Sequence, residues 1–221
     1  METTRLEVRT LSDRILEIVR EKIVSGAFGL NDPIRQDALA KEFQVSKIPL
    51  REALARLEQE GLVVSQPNRG FFVRPLSYAE AEEIFALRLQ IEPEAAAYAC
   101  LKASDQERER AVEALEQFDA EARAQKPTVG MLNRRFHMAL IGPAGRPLTE
   151  SIIARLNVMA DRYVRKHLEP TRRPARAEQE HHEILKAWLA RNDVVVRTLI
   201  AQHLQHTRED LLNELADAGS K

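Results

Sequence analysis

Three histidines in the second half of the chain have the spacing expected of metal ligands. His137 follows Asn133 by four residues, so the two side chains share one face of a predicted helix. His181 precedes apolar residues at helical intervals, and His203 belongs to the apolar stripe of the last predicted helix. Each of three helices thus directs an imidazole inward, and one adds an amide oxygen. Such ligands suit Zn²⁺ or another borderline transition metal, although histidines that simply fill a bundle are commoner.

An arginine on an apolar helix face adds a possible anion site. Arg88 lies among apolar residues at helical spacing, and a charge placed there needs a partner. One partner is Glu92, four residues further along the same helix. The other is the carboxylate of a small bound ligand, which a guanidinium can hold with two parallel hydrogen bonds. Asn157, also on an apolar face, is a weaker candidate for the same pocket.

The first 75 residues indicate a different chemistry. Helices are predicted from a cap at Ser12 to Gly26, over 36–43 and over 46–60. Two β-rich runs then flank an Asn/Gly turn, which is typical of a hairpin. Three short helices followed by a hairpin are the pattern of a winged helix-turn-helix, in which the third helix enters the major groove of DNA.

Polar residues lie where such a domain touches DNA. Ser46 is expected to cap the third helix, so that its free N–H groups and positive dipole end can face a phosphate. Lys47, Ile48 and Arg51 occupy the first turns, where side chains reach base edges or phosphates. Arg69, at the tip of the predicted hairpin, is placed for the minor groove or a phosphate. The plainer alternative is a surface helix with ordinary charges.

Composition limits the other possibilities. With 33 basic and 34 acidic residues the net charge is -1, which excludes a strongly basic coating protein but not a local basic footprint. The single cysteine excludes an internal disulfide and a zinc site built from cysteines. No apolar run approaches the ~20 residues of a membrane span, and the charged N-terminus lacks a signal core. A cytoplasmic protein without a membrane partner is expected.

The distribution of glycine predicts two domains. Glycines punctuate the first 75 residues, whereas none occurs between Pro75 and Lys126. We therefore expect a mainly α protein: a winged helix-turn-helix domain over 1–75 and an all-α six-helix bundle over 76–221. The six helices are predicted at about 78–101, 104–125, 128–142, 146–168, 175–191 and 193–215.

The N-terminal pattern resembles a known family. Residues 39–63, LAKEFQVSKIPLREALARLEQEGLV, are similar to the DNA-binding domain of GntR-family bacterial regulators, and RGFFV at 69–73 is similar to their wing. Lys47 stands where arginine is usual, and Ile48 where a small or hydroxylated residue is usual, so the operator sequence is not carried over. The DNA contacts that the resemblance implies are Ser46, Lys47, Ile48, Pro49, Arg51 and Gly70.

Residues 78–215 resemble the FCD effector domain of the FadR subfamily of these regulators. Short motifs carry the likeness: Arg88 with Glu92, Asn133 with His137, and Glu180-His181 followed by Ile184. Six helices rather than seven suggest the VanR-like branch. Asn133 stands where aspartate is typical. In metal-containing members the ligands correspond to Asn133, His137, His181 and His203, and the metal holds a carboxylate effector.

These patterns together predict a transcription regulator rather than an enzyme. We expect a homodimer that binds a palindromic operator in double-stranded DNA, because one helix-turn-helix spans a single half-site. It is expected to act as a repressor and to hold a small organic acid at a divalent metal, Zn²⁺ first and Ni²⁺ or Mn²⁺ next. One alternative is a metal-dependent hydrolase, with Glu183 as the glutamate beside the histidines and no His-Glu-x-x-His motif. The other is a DNA-binding regulator with a metal-free pocket.

Overall fold

The computed structural model describes residues 10–124, 129–167 and 174–219. The chain divides into two compact units, Met1–Pro75 and Leu76–Lys221. The described residues are mainly α-helical, with one small sheet in the first unit, so the predicted fold class is confirmed.

From residue 10 onward, the first unit contains three helices and a three-stranded sheet. In chain order they are α1 (Leu11–Val24), β1 (Pro33–Ile34), α2 (Gln36–Glu42), α3 (Lys47–Gln59), β2 (Val63–Gln66) and β3 (Gly70–Val73). The predicted hairpin is present, with Val63 opposite Val73 and Gln66 opposite Gly70 in an antiparallel register. The sequence analysis missed β1, which pairs with the other edge of β3. Two residues are too few to show the alternation that reveals a strand.

The start of α1 corrects one prediction. Thr10, not Ser12, is the cap: its hydroxyl accepts a hydrogen bond from the Asp13 N–H, and the Asp13 carboxylate accepts one from the Thr10 N–H in return. This reciprocal pair satisfies two N–H groups at once, which a cap at Ser12 would not do. The helix ends at Val24, before Gly26, whose φ of +71° takes the backbone into the left-handed region.

Burial of apolar faces holds α1 against α3. Ile15, Val19, Leu54 and Leu57 are among the fully buried residues of this contact. Side chains of this size contribute about 1.5–3 kcal/mol each when fully buried. An ion pair between Arg20 and Glu60 closes the edge of the same contact. The helix that is predicted to read DNA is therefore fixed on its inner face.

The described residues of the second unit form the predicted six-helix bundle. Its helices are α4 (Tyr78–Lys102), α5 (Asp105–Arg123), α6 (Val129–Ile141), α7 (Pro147–His167), α8 (Pro174–Leu189) and α9 (Asp193–Gly219). A single 3₁₀ turn, Gly142–Ala144, follows α6. The predicted starts or ends at 125, 128 and 168 lie outside the described residues.

α4 is the central helix of this unit and packs against α6, α7, α8 and α9. Ser77 caps it by accepting the Glu80 N–H, and Tyr163 on α7 accepts the N–H of Ser77. On α8, Trp188 is fully buried and donates its indole N–H to the Leu140 carbonyl of α6 at 3.0 Å. Buried polar side chains lie inside this frame, and they form the candidate effector site.

Candidate nucleic-acid interface and metal centre

The first turn of α3 is exposed although the rest of its inner face is buried. Ser46 stands at the N-cap position in extended conformation, but its hydroxyl makes no capping hydrogen bond to the described residues, contrary to expectation. Ile48 is 70% exposed, which is unusual for a large apolar side chain. Pro49 lies in the first turn, where its missing N–H costs no hydrogen bond. The first turn carries no acidic residue, so the positive end of the helix dipole stays available for a phosphate.

The first turn of α2 contacts the two basic residues in the first half of α3, Lys47 and Arg51. The Arg51 guanidinium donates to the Gln36 side-chain oxygen at 3.2 Å, and the Lys47 ammonium lies 2.5 Å from an Asp37 oxygen. Both contacts are exposed, so each is weak and can exchange for a phosphate. The sequence analysis did not identify Gln36 or Asp37, because their role depends on how α2 crosses α3.

The wing carries the other predicted DNA contacts. Gly70 has a φ of +88°, which side chains rarely adopt, and a Cβ there would lie 3.5 Å from the Gln36 amide nitrogen. Arg69 is exposed, with its guanidinium 5.3 Å from the centre of the Phe72 ring. Gln36 therefore lies between the recognition helix and the wing, and all the predicted DNA-contacting positions belong to this one unit.

Three of the four predicted metal ligands meet in the interior of the second unit. His137 on α6, His181 on α8 and His203 on α9 are all buried, and their ring centres lie 4.8–5.3 Å apart. One ring nitrogen from each lies within 4.8 Å of the other two. Phe118 and Phe136 pack against His181, each at 5.0 Å between ring centres. Asn133 is half-buried, one turn before His137 on α6.

The imidazole nitrogens are available as ligands. Among the described residues, Nε2 of His137 and both ring nitrogens of His181 are buried without a hydrogen-bond partner. Burial holds the pKa of His137 and of His181 well below the usual histidine value, and the nearby His203 lowers both pKa values further. The two rings are therefore neutral at pH 7, with lone pairs directed into the cluster. Each unsatisfied buried atom costs about 1–3 kcal/mol, which a cation bound between these nitrogens would offset.

The carboxylate of Glu180, outside the histidine cluster, holds the ring of His203 by a hydrogen bond. Glu180 on α8 accepts a hydrogen bond from Nδ1 of His203 at 2.7 Å and lies 2.8 Å from Nδ1 of His206. Burial raises the pKa of Glu180, but the hydrogen bonds to the two histidines outweigh this effect, so its pKa is lowered overall. Because an ionised carboxylate only accepts hydrogen bonds, Nδ1 of His203 donates this one, and Nε2 is the ring nitrogen that remains as a possible metal ligand. Glu183 is exposed and binds Gln179 instead.

The candidate anion-binding arginine has a partner. The Arg88 guanidinium donates to Glu92 at 2.6 and 3.3 Å and to the Asn157 side-chain oxygen at 2.8 Å. The Asn157 amide donates in turn to Glu92 at 3.1 Å, so the three buried side chains form a closed network. The charge of Arg88 also contributes to lowering the pKa of His137, after burial and the two neighbouring histidines. Arg88 and Asn157 thus share one site, and Glu92 neutralises it.

Within the described residues, no helix is both long and apolar enough to cross a membrane.

Comparisons with known proteins extend over both units. The FCD domain model matches residues 83–206, more than half of the chain, and the model for bacterial regulatory proteins of the gntR family matches residues 11–73. The HTH-type transcriptional regulator BphR of Paraburkholderia xenovorans is 28% identical over 90% of this chain and 84% of its own length. The HTH-type transcriptional repressor RspR of Escherichia coli is 26% identical over 96% of this chain and 93% of its own length.

A solved structure shows the same fold. The E. coli protein McbR/YncC superposes with a TM-score of 0.81 at 22% identity, over 91% of this chain and 97% of that one. The two family models match in the same order as the two structural units, and the relatives align over both units. The chain belongs to the FCD-domain family and carries the DNA-binding domain of the gntR family, which makes it a DNA-binding transcriptional regulator.

Proposed function

We propose that this regulator responds to a small carboxylate held at a metal site in its C-terminal unit, and that it represses transcription from a palindromic operator as a homodimer. The name of the relative RspR, a repressor, supports the sign of regulation. The six helices of the second unit support a place in the VanR-like branch. Domain boundaries at 1–75 and 76–221 are part of the same proposal.

One observation carries the proposal: buried ring nitrogens without hydrogen-bond partners converge among the described residues of this unit. The buried Arg88 adds a positive charge that lowers the pKa of His137. His137, His181 and His203 would hold the ion, with Asn133 as the fourth ligand. These ligands suit Zn²⁺, with Ni²⁺ or Mn²⁺ as alternatives. When bound, the metal supplies positive charge that neutral imidazoles and an amide leave uncompensated. That charge favours an anionic effector.

The protein side chains would then select a carboxylate. Arg88 offers the planar pair of N–H donors that a carboxylate fits, and Asn157 adds a neutral polar group beside it. In the structure Glu92 occupies this guanidinium, so an effector carboxylate competes with Glu92 for Arg88. This competition ties ligand binding to the packing of α4 against α7, because Arg88 and Glu92 lie on α4 and Asn157 on α7.

DNA binding is proposed to use the exposed first turn of α3 and the wing. Lys47 and Arg51 would contact phosphates or bases, and Ile48 would pack against a thymine methyl. Ser46 and Pro49 place the start of the helix against the backbone. Arg69 and Gly70 would place the wing in the minor groove or on a phosphate. Two copies are needed, since one such domain covers only a half-site.

The decisive experiment removes one ligand. We would purify the full chain without a histidine tag, measure its metal content and titrate it with Zn²⁺ by equilibrium dialysis. His137→Ala should lose this metal and any response of DNA binding to a panel of di- and tricarboxylates, while apo DNA binding persists. Glu183→Gln, which changes an exposed side chain that binds Gln179, is the control and should keep both. A metal-free wild type, with a carboxylate response that survives in His137→Ala, would refute the metal site and favour a regulator with a metal-free pocket.

A further inference from the structure

We propose that Asp119, Glu178 and His182 form a second divalent-cation site, open to solvent and separate from the buried histidine cluster. The proposal does not depend on the first site. Glu178 and His182 are four residues apart on α8, so their side chains lie on one helix face, and Asp119 faces them from α5. One ligand atom from each of the three residues lies within 4.8 Å of the other two.

The buried carboxylate of Asp119 is the second observation behind the proposal. Asp119 is only 5% exposed, and its Oδ2 lies 2.9 Å from Nε2 of His182. Its other oxygen, Oδ1, is buried and has no hydrogen-bond partner among the described residues. A buried carboxylate oxygen normally has one, because leaving it unsatisfied is costly. A cation bound by both oxygens of this carboxylate would supply the missing partner.

The donor set defines the class of cation. Two carboxylates and an imidazole offer oxygen and nitrogen ligands with two negative charges, which suits Zn²⁺ and similar divalent transition metals. The His182 side chain is 55% exposed, so water can complete the coordination. This site would have three protein ligands and open coordination positions for water, whereas the histidine cluster is enclosed. The outer site would therefore load and unload its metal more readily.

An arginine lies at the same place and competes with the cation. Nη2 of Arg123 is 3.6 Å from a Glu178 oxygen and 3.9 Å from Oδ2 of Asp119. Its side chain is 69% exposed, so it can turn into solvent at little cost. In the structure Arg123 approaches Oδ2 of Asp119, and Oδ1 still has no hydrogen-bond partner among the described residues. Arg123 alone therefore does not satisfy the carboxylate. A cation and Arg123 are therefore expected to alternate.

The position of the outer site gives it a consequence for the inner one. Phe118 packs on His181, with 5.0 Å between the ring centres. Asp119 directly follows Phe118 in the chain, and His182 directly follows His181. A cation that joins Asp119 to His182 would fasten α5 to α8 at the level of His181. Loading of the outer site would therefore restrain a ring that the inner site uses.

The test counts bound Zn²⁺ in the chelator-treated, tag-free full chain by equilibrium dialysis. His182→Ala and Glu178→Gln, both changes at the surface, should each bind one Zn²⁺ fewer per chain than wild type. Glu183→Gln, on the same helix and bound only to Gln179, is the control and should bind as many as wild type. Equal Zn²⁺ binding by wild type and His182→Ala would overturn the proposal.

A double-variant comparison separates this site from the buried cluster. His137→Ala should lose a different Zn²⁺, so that His137→Ala combined with His182→Ala loses both. Zn²⁺ should also raise the melting temperature of His137→Ala but not that of the double variant. A metal that binds only the folded protein stabilises it, and the double variant has neither site left. If His137→Ala alone removed all Zn²⁺ binding, the outer site would be refuted and the inner one supported. If only His182→Ala lowered Zn²⁺ binding, the outer site would be supported and the inner one refuted.

Arg123 provides a test of opposite sign. Arg123→Gln removes the competing ion pairs and should tighten Zn²⁺ binding about two- to fivefold, since exposed ion pairs are weak. Arg110→Gln, a change at an exposed arginine more than three turns away on α5, should leave the affinity unchanged. Unchanged or weaker binding in Arg123→Gln would mean that no cation shares this position, and the proposal would fail.

Discussion

The metal-free protein should lose stability as the pH falls through the range in which free histidine takes up a proton. His137 and His181 stay neutral when folded because burial depresses their pKa values, whereas in the unfolded chain they titrate near 6.5. The unfolded state therefore binds more protons below that value, and the free energy of unfolding decreases with falling pH. For one such group the loss between pH 7.5 and pH 5.5 is about 1.4 kcal/mol, so the two together cost about 3 kcal/mol.

Urea unfolding of chelator-treated protein, followed by far-ultraviolet circular dichroism, measures this loss. The matched variant is His137→Gln, which removes one of the two titrating rings and should halve the loss to about 1.4 kcal/mol over the same interval. The comparison uses the difference between two pH values within each variant, so a change in overall stability cancels. An unfolding free energy that stays constant from pH 7.5 to 5.5 would show that the two rings take up protons equally in the folded and the unfolded state, and the reasoning would fail.

Three further predictions concern the DNA and metal sites. Arg51→Ala should weaken operator binding about tenfold and lower the salt slope by about 1, because one phosphate contact is lost; a fluorescence anisotropy titration across salt concentrations that gives wild-type curves would contradict this. Asn133→Asp should tighten Zn²⁺ at least about tenfold by adding a charged oxygen ligand, and unchanged affinity by equilibrium dialysis would remove Asn133 from the ligand set. Sedimentation at micromolar concentration should give a dimer, and a monomer that binds a single half-site would rule out the proposed operator mode.

The helices were predictable from the sequence because their signals are local. Apolar residues at a period of 3.6 and breaks at glycine and proline placed all six helices of the second unit within a few residues. The cap of α1 was not predictable to the residue, since Thr10 and Ser12 both qualify. The choice falls on Thr10 because Asp13 lies three residues later and returns a hydrogen bond. Strand β1 exists only through its pairing with β3, which no local pattern encodes.

The same distinction applies to the candidate metal centre. The inward direction of His181 and His203 followed from helical spacing, because both belong to apolar stripes, and His137 was placed by its four-residue spacing from Asn133. The hydrogen bond from His203 to Glu180 did not, since it depends on the angle and register at which α8 packs on α9. The cluster of Asp119 with His182 likewise joins residues 63 positions apart. Sequence periodicity shows which face a residue occupies, but not its neighbour across a helix contact.

The buried indole on α8 gives the second unit a fluorescent reporter of its own. Trp188 is the only tryptophan in the chain and lies seven residues, or two helical turns, after His181. Its N–H bond to the carbonyl of Leu140 joins α8 to α6, the helix that carries His137. A displacement of α6 against α8 would stretch that bond and change the polarity around the ring, and both alter indole emission. Intrinsic fluorescence excited at the tryptophan band would therefore follow events in the second unit alone, without a label and without a background from the DNA-binding unit.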